Sequence, residues 1–157
     1  MQGLHLTADL YGCTCDIALL TNAKLLGARC LAAVHAAGLR PVAHLFHAFE
    51  AAPHIAGDST TNVARGNHSC NDNARDSGGN AGGNAGSAAP CGVTATVLLA
   101  ESHLCIHTWP EQMAVTLDVY VCNFGGDHSA KAQTLMDELL NWFGAARVHR
   151  HTLQRGL

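Results

Sequence analysis

The sequence predicts an α+β fold, a two-layer sandwich in which an antiparallel sheet carries two helices on one face. Three observations predict it. Residues 113–122 alternate strictly: Met113, Val115, Leu117, Val119 and Val121 point one way, and Ala114, Thr116, Asp118, Tyr120 and Cys122 the other. Residues 22–37 and 129–143 carry apolar side chains at helical spacing. The elements run strand, helix, strand, strands, helix, strand, which is not the βαβ alternation of a parallel sheet. With 157 residues, 48% of them apolar, the chain has material for one domain with its own core, and 1–157 is read as that domain.

The elements follow in order. Residues 4–11 alternate imperfectly and read as a first strand that Gly12 ends. In the helix at 22–37, Asn22 suits the N-cap, Gly38 the C-terminal stop, and Leu26, Cys30, Ala33 and Ala37 share a face. A strand follows over 40–49. Between 50 and 91 Gly, Asn, Ala and Ser dominate, with a short tandem repeat at 78–86 and no period of 2 or 3.6. This reads as a low-complexity, disordered insertion. Order returns with an apolar, β-branched strand at 93–100. Leu135, Leu139, Trp142 and Phe143 form the core side of the helix at 129–143, Gly144 stops it, and 146–152 is a last short strand. The polar face of the sheet has few charges near it, so a homodimer that stacks these faces is the expected arrangement.

Composition excludes several functions. A formal net charge of −3 and the lack of Lys/Arg clusters argue against nucleic-acid binding. No apolar run approaches the roughly 18 residues of a membrane span, and no basic-then-apolar leader opens the chain, so a soluble cytoplasmic protein is expected. Seven cysteines at irregular spacing do not form a disulfide framework. Cys13-Thr-Cys15 lacks the two-to-four residue gap of zinc knuckles, so no metal is expected.

The chemistry concentrates in Glu101-Ser-His-Leu-Cys-Ile-His-Thr-Trp-Pro-Glu111, which packs a hydroxyl, two imidazoles, a thiol and two carboxylates into one segment. A hydrolase triad of Ser102, His107 and Glu111 is disfavoured because the Gly-x-Ser-x-Gly elbow is missing. In this segment the chain resembles the small prokaryotic S-adenosylmethionine decarboxylases, which are proenzymes. The resemblance extends to Leu4-His-Leu-Thr-Ala-Asp-Leu-Tyr-Gly-Cys13, Phe46-His-Ala-Phe49, Gly92-Val-Thr94 and Leu117-Asp-Val-Tyr-Val-Cys122.

That resemblance implies autocatalytic serinolysis at Glu101-Ser102, giving a β chain 1–101 and an α chain 102–157 blocked by a pyruvoyl group derived from Ser102. The pyruvoyl ketone is the electron sink, through a Schiff base, that decarboxylation of an α-amino acid needs. No lysine motif for pyridoxal phosphate competes with it. The substrate implied is S-adenosylmethionine, whose decarboxylated product donates aminopropyl groups for spermidine. By the same resemblance His107 assists processing, Thr94 stands where the family usually has a processing serine, and Cys122 is the proton donor. Phe49 stacks on the adenine and Glu111 binds the ribose. Two alternatives stay open: the same pyruvoyl chemistry on ornithine or arginine, and a non-catalytic paralogue serving as a partner subunit.

Lengths add one expectation. In a single extended strand Thr94 and Ser102 would lie about 27 Å apart, and Ser102 and His107 about 16 Å. A composite site is therefore expected. One protomer supplies Ser102 and Cys122, and the other supplies Phe49, Thr94, His107 and Glu111.

Overall fold

The structure, a computed structural model, describes residues 2–49 and 91–156. The insertion expected at 50–91 therefore lies outside the described residues, Cys91 excepted. The strands are β1 (Gln2–Tyr11), β2 (Pro41–Ala48), β3 (Val93–Leu99), β4 (Ser102–Trp109), β5 (Ala114–Cys122) and β6 (Arg147–Gly156). The helices are α1 (Ile17–Thr21), α2 (Ala23–Ala36) and α3 (Ser129–Phe143), with a single 3-10 turn at Pro110–Gln112. All six strands form one antiparallel sheet in the order β2-β3-β4-β5-β1-β6. This is the α+β sandwich that the sequence predicts.

Local chemistry sets the helix limits. Asn22 Oδ1 accepts from the N–H groups of Lys24 and Leu25, both at 3.0 Å, which caps α2 as expected. Gly144 ends α3 in the left-handed region at φ 54°, where a side chain would be strained. Its carbonyl accepts from Thr14 Oγ1 at 3.0 Å. Leu26, Cys30 and Ala33 of α2 and Leu135, Leu139 and Phe143 of α3 are buried against the sheet. Trp142 is only partly buried: its Nε1 donates to Glu138 at 2.9 Å and the Arg29 guanidinium lies over its ring.

Two elements differ from expectation. The short helix α1 was not predicted, because five residues show no period. It is held from outside its own sequence: Thr108 Oγ1, fully buried on β4, donates to Leu20 O at 2.6 Å and accepts from Val93 N–H at 2.7 Å. The last strand runs to Gly156 because it pairs with β1 along its whole length, from Tyr11↔Arg147 to Gln2↔Gly156. No residue of β6 is buried, so hydrophobic patterning could not reveal its extent.

The sheet has two unlike faces. Leu4, Leu6, Leu104, Ile106, Leu117 and Val119 meet the helices. The other face presents Thr94 and Thr96 of β3, His103, Cys105 and His107 of β4, Asp118 and Tyr120 of β5, and His5 and Thr7 of β1. Around this polar centre Leu45, Leu98 and Leu153 stand 65%, 48% and 57% exposed.

Cys91 is disulfide-bonded, contrary to the expectation that the cysteines form no disulfides. Cys13, Cys15, Cys30, Cys105 and Cys122 are free. Burial, and next the neighbouring Cys15, push the Cys13 thiol up to about 11, and burial pushes Cys30 up to about 12.

Thr108→Val removes both side-chain bonds and leaves Leu20 O and Val93 N–H buried without that partner. It should cost ~3 kcal/mol in denaturant unfolding, while Thr108→Ser should retain most of the stability. Equal midpoints for the two variants would contradict this.

Candidate active site

Ser102 opens β4 immediately after a turn. Leu99 pairs with Ser102, so Ala100 and Glu101 alone reverse the chain between β3 and β4. The Glu101–Ser102 peptide is thus the exit bond of a two-residue hairpin turn, with Glu101 exposed and Ser102 half-buried. The turn also corrects the length argument. Thr94 and Ser102 are not on one strand: Thr94 faces His107 across the ladder, five residues along β4 from Ser102. The remaining separation is about 16 Å.

The candidate residues fall into two sets at opposite ends of the β3–β4 hairpin. At the turn end, Cys122 donates its backbone N–H to Ser102 Oγ at 3.2 Å, and its side chain is buried. Ser102, Cys122 and Glu101 line a cavity of about 330 Å³. Arg40, His128 and Lys131 line it too, with no local motif to mark them. They come from the segment after α2 and from the start of α3, and only the packing of the helices on the sheet brings them to the turn. Lys131 Nζ donates to Gly38 O at 3.2 Å. His128 Nδ1 is buried without a hydrogen-bond partner.

At the far end, Thr94 Oγ1 and His107 Nδ1 are 3.2 Å apart. Phe49 lies beside them through Gly92: the Phe49 N–H donates to Gly92 O at 2.9 Å. A Cβ on Gly92 would stand 3.2 Å from Phe49 Cε2 and 1.9 Å from Thr108 O. Only glycine fits there, so one residue of the Gly92-Val-Thr94 motif has a steric cause. Glu111 is exposed in the 3-10 turn after β4.

The structure therefore joins Ser102, Glu101 and Cys122, and joins Thr94, His107 and Phe49 nearby. It does not join the two sets within the chain. The odd separation of Ser102 and His107 also aims them at opposite faces: Ser102 follows the alternation of buried Leu104 and Ile106, and His107 lies on the open face. A further hollow of about 310 Å³ between α2 and α3, walled by Arg29, Ala33 and Trp142, contains none of these residues.

Residues 83–156 match the family described as S-adenosylmethionine decarboxylase. The chain is similar to the S-adenosylmethionine decarboxylase proenzyme of Hydrogenobaculum sp. (strain Y04AAS1), 44% identical over 68 residues covering 43% of this chain and 48% of that one. It is similar to the proenzymes of Aquifex aeolicus (strain VF5), 46% identical over 43% of this chain and 47% of that one, and of Pyrococcus horikoshii, 38% identical over 44% and 47%. The chain spans about half the length of the curated relatives it matches. Among solved structures it resembles the adenosylmethionine decarboxylase of Aquifex aeolicus VF5, with a TM-score of 0.65, 27% identity, and coverage of 99% of this chain and 91% of that one.

Proposed function

We propose that this chain, whose residues 83–156 belong to the S-adenosylmethionine decarboxylase family, is a proenzyme that cuts itself at Glu101-Ser102 and then decarboxylates S-adenosylmethionine. The observation that carries the reading is the position of Ser102. Its hydroxyl sits at the exit of a two-residue turn, next to the exposed Glu101 and over a cavity. A peptide carbonyl is a poor electrophile, so attack requires a hydroxyl held close to it, and a tight turn limits the freedom of both partners.

In the proposed processing, Ser102 Oγ attacks the Glu101 carbonyl carbon and the amide becomes an ester. β-Elimination breaks that ester and frees the Glu101 carboxylate, ending a chain 1–101. The dehydroalanine left at 102 takes up water, loses ammonia and becomes the pyruvoyl group of chain 102–157. The residues present fit such a group: Cys122 and the walls of the cavity already surround position 102. Once formed, the ketone would supply the electron sink that loss of CO₂ requires. The roles of this chain's residues are simpler. Cys122, at the buried end of β5, is the proton donor to the substrate Cα. Thr94 orients the His107 ring through Nδ1, leaving Nε2 free for proton transfer during processing. Phe49 offers an apolar surface for the base, and Glu111 an exposed carboxylate for sugar hydroxyls.

The separation of the two sets supports a composite site. A second copy would have to present its own Thr94 and His107 at the turn end of the hairpin, around the end of the sheet, and the exposed Leu45, Leu98 and Leu153 give the open face an apolar contribution to such pairing. The product would serve spermidine synthesis, and the working form would be a homodimer in the cytoplasm. A pyruvoyl-dependent decarboxylase of ornithine or arginine would share Ser102 and Cys122 but would have no use for Phe49 and Glu111 as assigned.

Freshly purified protein should run as two fragments on a denaturing gel, the smaller carrying a terminal keto acid by mass. Ser102→Ala should stay whole. Release of CO₂ should follow addition of S-adenosylmethionine and not of ornithine or arginine; the reverse selectivity would move the assignment to the other substrates. Removing residues 55–88 should leave cleavage intact.

Mixing tests the composite site directly. Ser102→Ala and His107→Asn should each be uncut alone. Co-expressed, they form a mixed dimer with one complete site, and the His107→Asn chain should be cleaved. No cleavage in the mixture, with mixed dimers demonstrated, would show that each chain processes itself.

A further inference from the structure

Three side chains on the open face serve no step of the proposed reaction. His5 of β1 and His103 of β4 both stand level with Tyr120 of the intervening β5, through the pairs His5↔Tyr120 and His103↔Tyr120. Both imidazoles lean two residues along β5 to Asp118. His5 Nε2 lies 2.8 Å from Asp118 Oδ1 and 2.9 Å from Oδ2, and His103 Nε2 lies 3.2 Å from Oδ1. The two rings are 6.2 Å apart and meet edge to face. Each flanks the Tyr120 ring, at 5.7 and 5.6 Å.

We propose that His5, His103 and Asp118 form a binding site for a divalent transition-metal ion of the zinc type. The two Nε2 atoms and a carboxylate oxygen lie within 4.8 Å of one another. Ligands of a tetrahedral ion at bond lengths of about 2 Å stand roughly 3.3 Å apart, so only small rotations are needed. In the metal-free chain the same atoms make a three-centre hydrogen bond, His5 Nε2–H to both Asp118 oxygens, so the cluster is already gathered before an ion arrives. The donor set selects the metal class: two imidazoles and one carboxylate suit Zn²⁺ or Co²⁺, whereas Mg²⁺ and Ca²⁺ prefer oxygen throughout. Three protein ligands leave a fourth position for water. Protons compete for both Nε2 atoms, so the affinity falls as pH is lowered.

The site is half-buried, with His5, His103 and Asp118 side chains 18%, 35% and 35% exposed. The register builds it: a one-residue slip of β1 or β4 against β5 would send an imidazole to the helix side. The proposal does not depend on the decarboxylase reading, and metal binding tests it without reference to turnover.

The experiment is titration of the chelator-treated full chain with ZnCl₂ in a calorimeter and with CoCl₂ in the visible spectrum. One ion should bind per chain, and the Co²⁺ form should show tetrahedral d–d bands without a thiolate charge-transfer band. His103→Gln and Asp118→Asn should each weaken binding by roughly 10-fold or more. His35→Gln, exposed on α2 in the opposite layer, should leave it unchanged. Absence of binding, a thiolate band from the cysteines, or equal affinity in the Asp118→Asn protein would each overturn the site. The Co²⁺ spectrum of the unaltered chain decides the matter even if a variant fails to fold.

Discussion

Pairing of Leu99 with Ser102 leaves only Ala100 and Glu101 to reverse the chain, and that register governs the position of every other candidate group. It places the Glu101–Ser102 amide at the end of two interior strands, beside an exposed Glu101 and over a cavity. It sets Thr94 opposite His107 at the far end of the hairpin. Because side chains alternate along a strand, it also fixes which face each residue serves. A slip of one residue would turn Ser102 towards the open face and bury His107 among the leucines of the helix layer. The register is held by the fully buried Leu104, Ile106, Val93 and Val97 and by the two hydrogen bonds of Thr108. The Ser102 end of the strand is therefore positioned in part by packing at its Thr108 end.

The sheet's two faces carry different physical tasks. The helix side is an ordinary core, in which Leu, Ile, Val, Met and Phe side chains are removed from water. The open side gathers histidines from β1, β2, β4 and β6, Asp9 and Asp118, Tyr11 and Tyr120, and threonines, together with exposed leucines. It is too apolar at its margin to be simply hydrated and too polar at its centre to be a second core. Both proposals use this asymmetry. The composite reading takes the rim as a surface for a second copy, and the metal reading takes the centre as a ligand set. The two are compatible, because the ligands come from one chain while His107 of the Thr94–His107 pair lies four residues beyond His103 on β4.

Much of this was legible in the sequence, for identifiable reasons. The strand at 114–122 and the helix at 129–143 have long, clean periods, and their limits were found to within a residue. Asn22 and Gly144 could be recognised because caps and left-handed stops demand particular residues. The segment around Ser102 stood out by chemical density alone. What escaped had no local signal. The helix α1 depends on Thr108, far along the chain. β6 carries no buried residue, and its length is set by β1. Arg40, His128 and Lys131 reach Ser102 only because helices pack over the turn. His5, His103 and Asp118 come from three strands, and sequence spacing cannot show that β1 lies beside β5. The distance assigned to Thr94 and Ser102 failed for the same reason, since a two-residue turn made of Ala and Glu lacks the Gly or Asn that usually marks one.

The separation of the two candidate sets has a consequence for how such a chain could be kept safe before assembly. A hydroxyl beside a peptide carbonyl is harmless until a proton acceptor and an oxyanion donor arrive. In an isolated chain His107 is about 16 Å from Ser102 and on the other face, so on the proposed reading the turn would be primed without being reactive. If cleavage requires a second copy, then folding and pairing both precede it, and a chain that has not formed its sheet never loses the covalent link between its halves. The ladder contacts support that order. β1 pairs with both β5 and β6, and β3 with β4, so the two fragments would remain interleaved in one sheet after the bond between them is broken. If the proposed cut occurs, the hydrogen bonds that span it would hold the new terminus at residue 102 over the cavity.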